Sequence, residues 1–268
     1  MNKISKYFSL LKFSLKNPKS GADMIKIAQD TQTDSKEVLK DHTVKGKLLD
    51  EVLDVFFPDS KITKSSLRNE ISDLEIKLKK FLDSLKEEEF PSQKKPYPTD
   101  YSIQEDSRLL LYGLCRIIQP LIVVETGVAY GISSSYILHA LKKNGKGTLY
   151  SIDNTFRPWE TKKMIGAAIP NELKENWKLI IGKSSEKLKE ISSSMKNIDI
   201  FLHDSLHTYK NMYFEFNLMW PCIKKNGFLL SDDISDNNAF IDFYLTKKII
   251  PNILKNENEK NSLGILKK

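Results

Sequence analysis

The stretch Leu121-Ile-Val-Val-Glu-Thr-Gly-Val-Ala-Tyr-Gly-Ile-Ser133 decides the fold. Leu121 to Val124 are four apolar residues in a row, three of them β-branched. They read as a short strand buried on both faces. Glu125 closes that strand. Gly127 and Gly131 follow, and a helical pattern begins at Ser133. A strand, a glycine-bearing turn and a helix N-terminus together present backbone N–H groups to a nucleotide-like ligand.

Downstream the same unit recurs. Strands are expected over 148–152, 177–181, 198–202 and 228–230, with a last one at 263–266. Helices are expected over about 132–143, through 158–173 after a loop, and over 185–194, 208–223 and 238–254. Strands that alternate with helices require βαβ units. The fold class is therefore α/β: a mostly parallel sheet with helices on both faces.

Upstream the pattern is helical. Residues 4–15 place Ile4, Tyr7, Phe8, Leu11 and Leu15 on one face, with lysines opposite. A further helix or two is expected in 34–57, with Val38, Leu39, Leu48, Leu49, Val52, Leu53 and Phe56 as apolar contacts. Over 65–88, Leu67, Ile71, Leu74, Leu78, Phe81 and Leu85 alternate spacings of four and three, a heptad seam. Such a seam serves a homodimer or packs on a neighbouring helix of its own chain. Pro91, Pro96 and Pro98 then break the pattern. The expected division is a helical N-terminal extension, 1–95, and an α/β domain, 96–268, that opens with a helix over 104–118.

Composition narrows the class. The chain has 268 residues, 40% hydrophobic and 29% charged, which suits a soluble globular protein. Cys115 and Cys222 have neither metal-site nor disulfide-framework spacing, and fit a reducing, cytoplasmic setting. The net charge of +7 comes from lysines scattered along the chain without interleaved aromatics, so no nucleic-acid partner is expected. Lys3, Lys6, Lys12, Lys16 and Lys19 all precede the first acid, Asp23. Residues 1–20 could therefore lie on an anionic membrane surface, which would make the protein peripheral to the membrane.

In parallel sheets ligands bind at the carboxyl ends of strands. Here those positions are Glu125, Asp153, Ser184, Asp204 and the pair Asp232-Asp233. Asp153 stands 26 residues after Gly127, where an acid accepts both hydroxyls of a ribose. The turn lacks the G-x-G-x-x-G spacing that a pyrophosphate requires. Close backbone approach beside acids suits instead a cation that carries an adenosine, which describes S-adenosylmethionine. His207 lies three residues past Asp204, and imidazole suits a general base. Asp204, Asp232 and Asp233 could gather a divalent cation such as Mg2+.

Four runs sharpen this: Val124 to Ser133, Ser151-Ile-Asp153, Ile198-Asp-Ile-Phe-Leu-His-Asp-Ser-Leu-His-Thr-Tyr209, and Asn226-Gly-Phe-Leu-Leu-Ser-Asp-Asp233. In this order they resemble a class I S-adenosylmethionine-dependent methyltransferase. Within that superfamily the chain is similar to the "methyltransferase domain 24" group, related to catechol- and macrolide-type O-methyltransferases. The resemblance covers about residues 100–268 and implies a Rossmann-like fold. By position it implies that Glu125, Gly127 and Gly131 line the methionine part of the cofactor; Tyr130, which could shape a substrate or adenine pocket, and Ser133 are expected among the cofactor-binding residues. Asp153 would hold the ribose, Ser184 or Ser185 would lie near the adenine, and Asp204 and His207 would face the reaction. It implies metal ligation by Asp204, Asp232 and Asp233, although Asp233 stands where the catechol-type enzymes have an amide. The acceptor would be a hydroxyl on a sugar or small molecule. Two other classes stay open: a nicotinamide-dependent oxidoreductase, and a membrane-surface or assembly protein without catalysis.

Overall fold

The computed structural model describes residues 3–100, 103–255 and 262–268; the side chains of Lys3 and Ile4 lie outside the described ones. The place given to Ile4 on the first helical face is therefore not described. Four helices come first: α1 (Lys3–Lys16), α2 (Pro18–Asp34), α3 (Leu49–Phe56) and α4 (Lys64–Ser84). The α/β part then runs α5 (Glu105–Ile118), β1 (Ile122–Thr126), α6 (Ile132–Asn144), β2 (Thr148–Asp153) and β3 (Trp177–Ile181). It continues through α7 (Ser184–Ser194), β4 (Ile198–His203), α8 (Tyr209–Met219) and β5 (Ile223–Ser231), and ends with α9 (Ala239–Lys247), β6 (Asn252–Lys255) and β7 (Ser262–Lys267).

The seven strands form one sheet in the order β3-β2-β1-β4-β5-β7-β6. β1 pairs in parallel with β2 on one edge and β4 on the other. Only β7 is antiparallel to its neighbours. From β1 the chain steps outward to β2 and β3, then crosses back to lay β4 on the opposite side. That reversal puts the crevice for a ligand at the carboxyl ends of β1 and β4.

β1 shows why the strand had to be apolar on both faces. Val123 enters one core cluster with Leu67, Ile71 and Ile137, while Val124 enters the other with Leu188, Phe216 and Phe243. The first cluster also contains Leu49, Val52 and Leu53 of α3. Residues 49–85 thus share one core with the sheet, and the packing does not divide near residue 95. Leu67, Ile71, Leu74 and Leu78 are 4% exposed or less, with α5 and α6 of the same chain against them. That chain's own helices occupy the heptad seam. α4 stops at Ser84, short of the expected residue 88, because Glu87-Glu88-Glu89 opposes the negative end of its dipole.

Several elements depart from expectation. α2 was not anticipated: Pro18 starts it, but only Gly21 and Asp30 are buried, so it carries no apolar stripe to read. Val38 and Leu39, expected as contacts, are 88% and 53% exposed. Their segment straps α9 through backbone: Lys40 N–H donates to Asn238 Oδ1 (2.9 Å) and Asn238 Nδ2 to the Val38 carbonyl (3.0 Å). Lys47 then bridges the edge of β6. The expected helix through 158–173 is two 3-10 turns, Lys162–Met164 and Asn171–Asn176, interrupted by Gly166 and Pro170. Pro221 ends α8 early, and β5 starts at Ile223. The helix expected over 238–254 ends at Lys247, where Lys248 turns left-handed. Ile249-Ile250-Pro251 then lead into β6.

Because α4 is core rather than appendage, Ile71→Ala should lower unfolding free energy by about 2–5 kcal/mol. Denaturant unfolding should remain one transition in circular dichroism and tryptophan fluorescence; an earlier, separate helical transition would show that α4 is a domain apart.

Candidate active site

A cavity of about 690 Å³ lies at the switch point. Its floor begins at Gly127, whose N–H donates to the Ile152 carbonyl (2.9 Å). At φ +84° this residue is left-handed, and a Cβ there would lie 1.7 Å from the Asp204 carbonyl oxygen. Only glycine lets the β1 turn pass the β4 loop. Gly131, at φ +85°, caps α6, and a Cβ on it would strike Ile169 at 2.6 Å.

The sequence-derived residues separate into two groups. Gly127, Tyr130, Ser133, Asp153, Ser184 and Asp204 line the cavity, as do His207, Asp232 and Asp233. Glu125 and Gly131 do not line it. Glu125 is fully buried beneath the turn, where hydroxyls of Ser134 and Ser151 (the latter at 2.6 Å) donate to its Oε1. It braces β1, β2 and α6. Tyr130 lines the cavity with its ring, but its hydroxyl donates to the Tyr97 carbonyl (2.8 Å) and fastens segment 90–100 above the turn.

Asp153 binds the turn as well as facing the cavity. The N–H groups of Val128 and Ala129 donate to its Oδ2 (2.9 and 2.8 Å), and Asn154 N–H to its Oδ1 (2.6 Å). A carboxylate has about four lone-pair sites, so one, on Oδ1, remains for a ribose hydroxyl.

On the far wall, His207 Nδ1 lies 3.3 Å from Asp233 Oδ2, and its Nε2 lies 3.8 Å from Asp204 Oδ1. That Nε2 is buried without a hydrogen-bond partner. Burial, then the neighbouring His203, pushes the His207 pKa down to about 3, so the ring is neutral near pH 7. Burial raises Asp204, Asp232 and Asp233 above the usual carboxylate range, helped by repulsion from Asp232 and Asp233 at Asp204, from Asp233 at Asp232 and from Asp236 at Asp233. Among the described residues no Lys or Arg pairs with these three or with Asp153. An acid-lined cavity of this kind favours a cationic ligand.

The donor atoms that converge are not those of the expected metal trio. Among the described residues, His207, Asp233 and Asp236 bring ligand atoms within 4.8 Å of one another, while Asp204 and Asp232 fall outside that group. Asp233 is left-handed at φ +50°, which turns its side chain toward His207 and away from the line of the strand.

Two sets of residues were not legible beforehand. Glu215, inside the apolar run of α8, is fully buried and accepts from Thr126 Oγ1 (2.7 Å) and Asn211 Nδ2 (3.1 Å), and pairs with His203 Nδ1 (2.8 Å). It holds the 203–211 loop from beneath; a charge flanked by Phe214 and Phe216 was its only signal. The second set is on α2: Asp23, Lys26, Ile27 and Asp30 form a wall of the cavity. Asp23 pairs with Lys183 at 2.6 Å and Asp30 with Lys210. Asp34 Oδ2 accepts from Tyr209 N–H at 2.8 Å, which caps α8 from another part of the chain.

Residues 124–234 match a family model described as a methyltransferase domain. The matched segment runs from β1 to just past the end of β5, so it contains the Gly127 turn, Asp153 and the loop that carries Asp204 and His207. Solved structures similar to the chain include an O-methyltransferase from Bacillus cereus in complex with S-adenosylhomocysteine. It is 13% identical, with 82% of this chain and 97% of that chain covered and a TM-score of 0.56. The O-methyltransferase TomG from Streptomyces achromogenes, involved in tomaymycin synthesis and solved with S-adenosylmethionine, is 14% identical, with 81% and 95% covered and a TM-score of 0.55. The O-methyltransferase NovP is 13% identical, with 74% and 99% covered and a TM-score of 0.56. Likeness at these identities is likeness of fold. No curated protein matches the sequence. Among the described residues no helix is long and apolar enough to cross a membrane.

Burial raises the Glu125 pKa from 4.5 to about 7. As pH rises, the unfolded chain loses this proton first, so the stability tied to the protonated carboxyl is present at low pH and is lost as pH rises toward the folded value. Glu125→Gln should therefore flatten the fall in melting temperature between about pH 5 and 8. Parallel pH profiles for the variant and the parent would exclude Glu125 as the source.

Proposed function

We propose that this chain transfers the methyl group of S-adenosylmethionine to a hydroxyl oxygen of a small-molecule or saccharide acceptor. One observation carries the reading: a cavity at the switch point whose floor is a glycine turn and Asp153, and whose far wall is Asp204 with His207. The residues fit the cofactor. The Gly127 turn leaves room for close approach, Asp153 can accept from a ribose hydroxyl, and the unpaired acids favour a sulfonium. When bound, that sulfonium supplies an electrophilic methyl.

The chain supplies position and a route for the proton. In the tautomer with the proton on Nδ1, 3.3 Å from Asp233 Oδ2, the Nε2 lone pair of His207 is left free toward the cavity. Burial makes His207 a weak base, yet it stays neutral and able to accept. An alcohol oxygen that has gained a methyl becomes a far stronger acid than imidazolium, so its proton passes downhill to Nε2. Asp204, near that nitrogen, stabilises the imidazolium once formed. α2 completes the acceptor side with Lys26, Ile27 and Asp30, so the choice of acceptor rests partly on the N-terminal helices. The buried, unpaired thiols of Cys115 and Cys222 suit a reducing compartment, and we read the enzyme as cytoplasmic.

A metal-assisted variant has one observation in its favour, the convergence of His207, Asp233 and Asp236. A divalent cation held there would polarise the acceptor hydroxyl, and His207 would then be a ligand and not a base.

Calorimetry with S-adenosylmethionine should show binding that Asp153→Ala weakens about tenfold or more by removing the charge-assisted bonds to ribose. Unaltered affinity would defeat the cofactor placement. His207→Ala should lower turnover about a hundredfold while leaving cofactor affinity unchanged. Turnover that persists through exhaustive chelation assigns the loss to a base; turnover abolished by chelation assigns it to a metal ligand.

A further inference from the structure

α1 presents an apolar face that nothing among the described residues covers. Tyr7, Phe8, Leu11 and Leu15 are 71%, 68%, 58% and 77% exposed. At about 100° per residue they fall within an arc of roughly 100°. The opposite side is the one that docks: α1 packs on α2, and Lys6 Nζ lies 5.5 Å from the centre of the Trp159 ring. Exposed Lys12 lies about 40° beyond one edge of the apolar arc and exposed Lys16 about 40° further round the same flank, and α1 contains no acidic residue.

We propose that this face docks α1 in the plane of an anionic lipid surface. Four large apolar side chains on one side of a helix, with cations on one flank, match the boundary between acyl chains and acidic headgroups. A second copy of the chain is a poorer occupant. Two such faces packed together would bring lysines toward lysines, with no acid on either helix to offset them. Docking concerns the surface of a bilayer and not its interior, since α1 has only 14 residues.

The place of the face gives the docking a consequence. Trp159, beneath Lys6, stands between Arg157 and Glu160, which line the cavity, and α2 forms another wall of it. A lipid surface on α1 therefore adjoins the cavity rim, within reach of an acceptor carried by a membrane anchor. Only this last step rests on the proposed methyl transfer; docking itself does not.

The test is flotation of the full chain with vesicles of phosphatidylcholine, alone or mixed with phosphatidylglycerol. The parent should float with the mixed vesicles and not with the neutral ones. Phe8→Ser with Leu11→Ser should reduce its partition at least about tenfold. Lys12→Gln and Lys16→Gln should each reduce it about fivefold on mixed vesicles alone. Because all four positions are exposed, melting temperature and S-adenosylmethionine binding should not move, which separates this test from the fate of the methyltransferase reading. A parent that does not float, or a Phe8→Ser/Leu11→Ser variant that floats like the parent, overturns the proposal. So does sedimentation showing that the same variant splits a dimer while vesicle binding is absent, because the face would then belong to a second copy.

Discussion

The backbone of the β1 turn and the backbone of the β4 loop occupy nearly the same space. The Asp204 carbonyl oxygen lies where a side chain on residue 127 would begin. That contact exists because β4 is laid directly against β1 after the chain has travelled out to β3 and back. It fixes the cavity floor, and it brings Asp204 and His207 opposite the acids of β1 and β2. Glu125 and Asp153 both serve this contact. One braces the turn from below through serine hydroxyls, and the other holds its N–H groups from the side. The floor of the crevice is therefore held from two sides by the chain's own hydrogen bonds, which favours a reaction governed by alignment.

The centre of the fold was readable because its constraints are local. A strand buried on both faces must be a continuous apolar run, and Leu121 to Val124 is one. A turn that must pass another backbone needs glycine, and Gly127 stands there. Acids at strand ends announce themselves by position alone. The same logic does not say where the Glu125 side chain points. Sequence position puts it at a strand end, but the strand's alternation turns its side chain under the turn toward Ser134 and Ser151.

What was not legible depends on contacts distant in sequence. α2 has no apolar stripe, because it meets the domain through ion pairs with Lys183 and Lys210 and through Asp34. Asp23 and Asp30 look like ordinary solvated acids until their partners, more than a hundred residues away, are beside them. β6 failed for a related reason. Its pattern suits a helix or a strand, and pairing with β7 decides between them. The left-handed turn of Asp233 is likewise invisible in sequence, yet it decides which side chains converge on His207.

The cap on α8 carries one more implication. Asp34 satisfies an N–H group at the start of that helix, and the helix carries Asn211 and Glu215, which hold the 203–211 loop. Docking of α2 and ordering of this loop are thus linked equilibria. By thermodynamic reciprocity, whatever free energy the docked helix lends to the loop, an ordered loop returns to the docked helix. An acceptor gripped by both would be recognised by a wall and a reaction centre that tighten together.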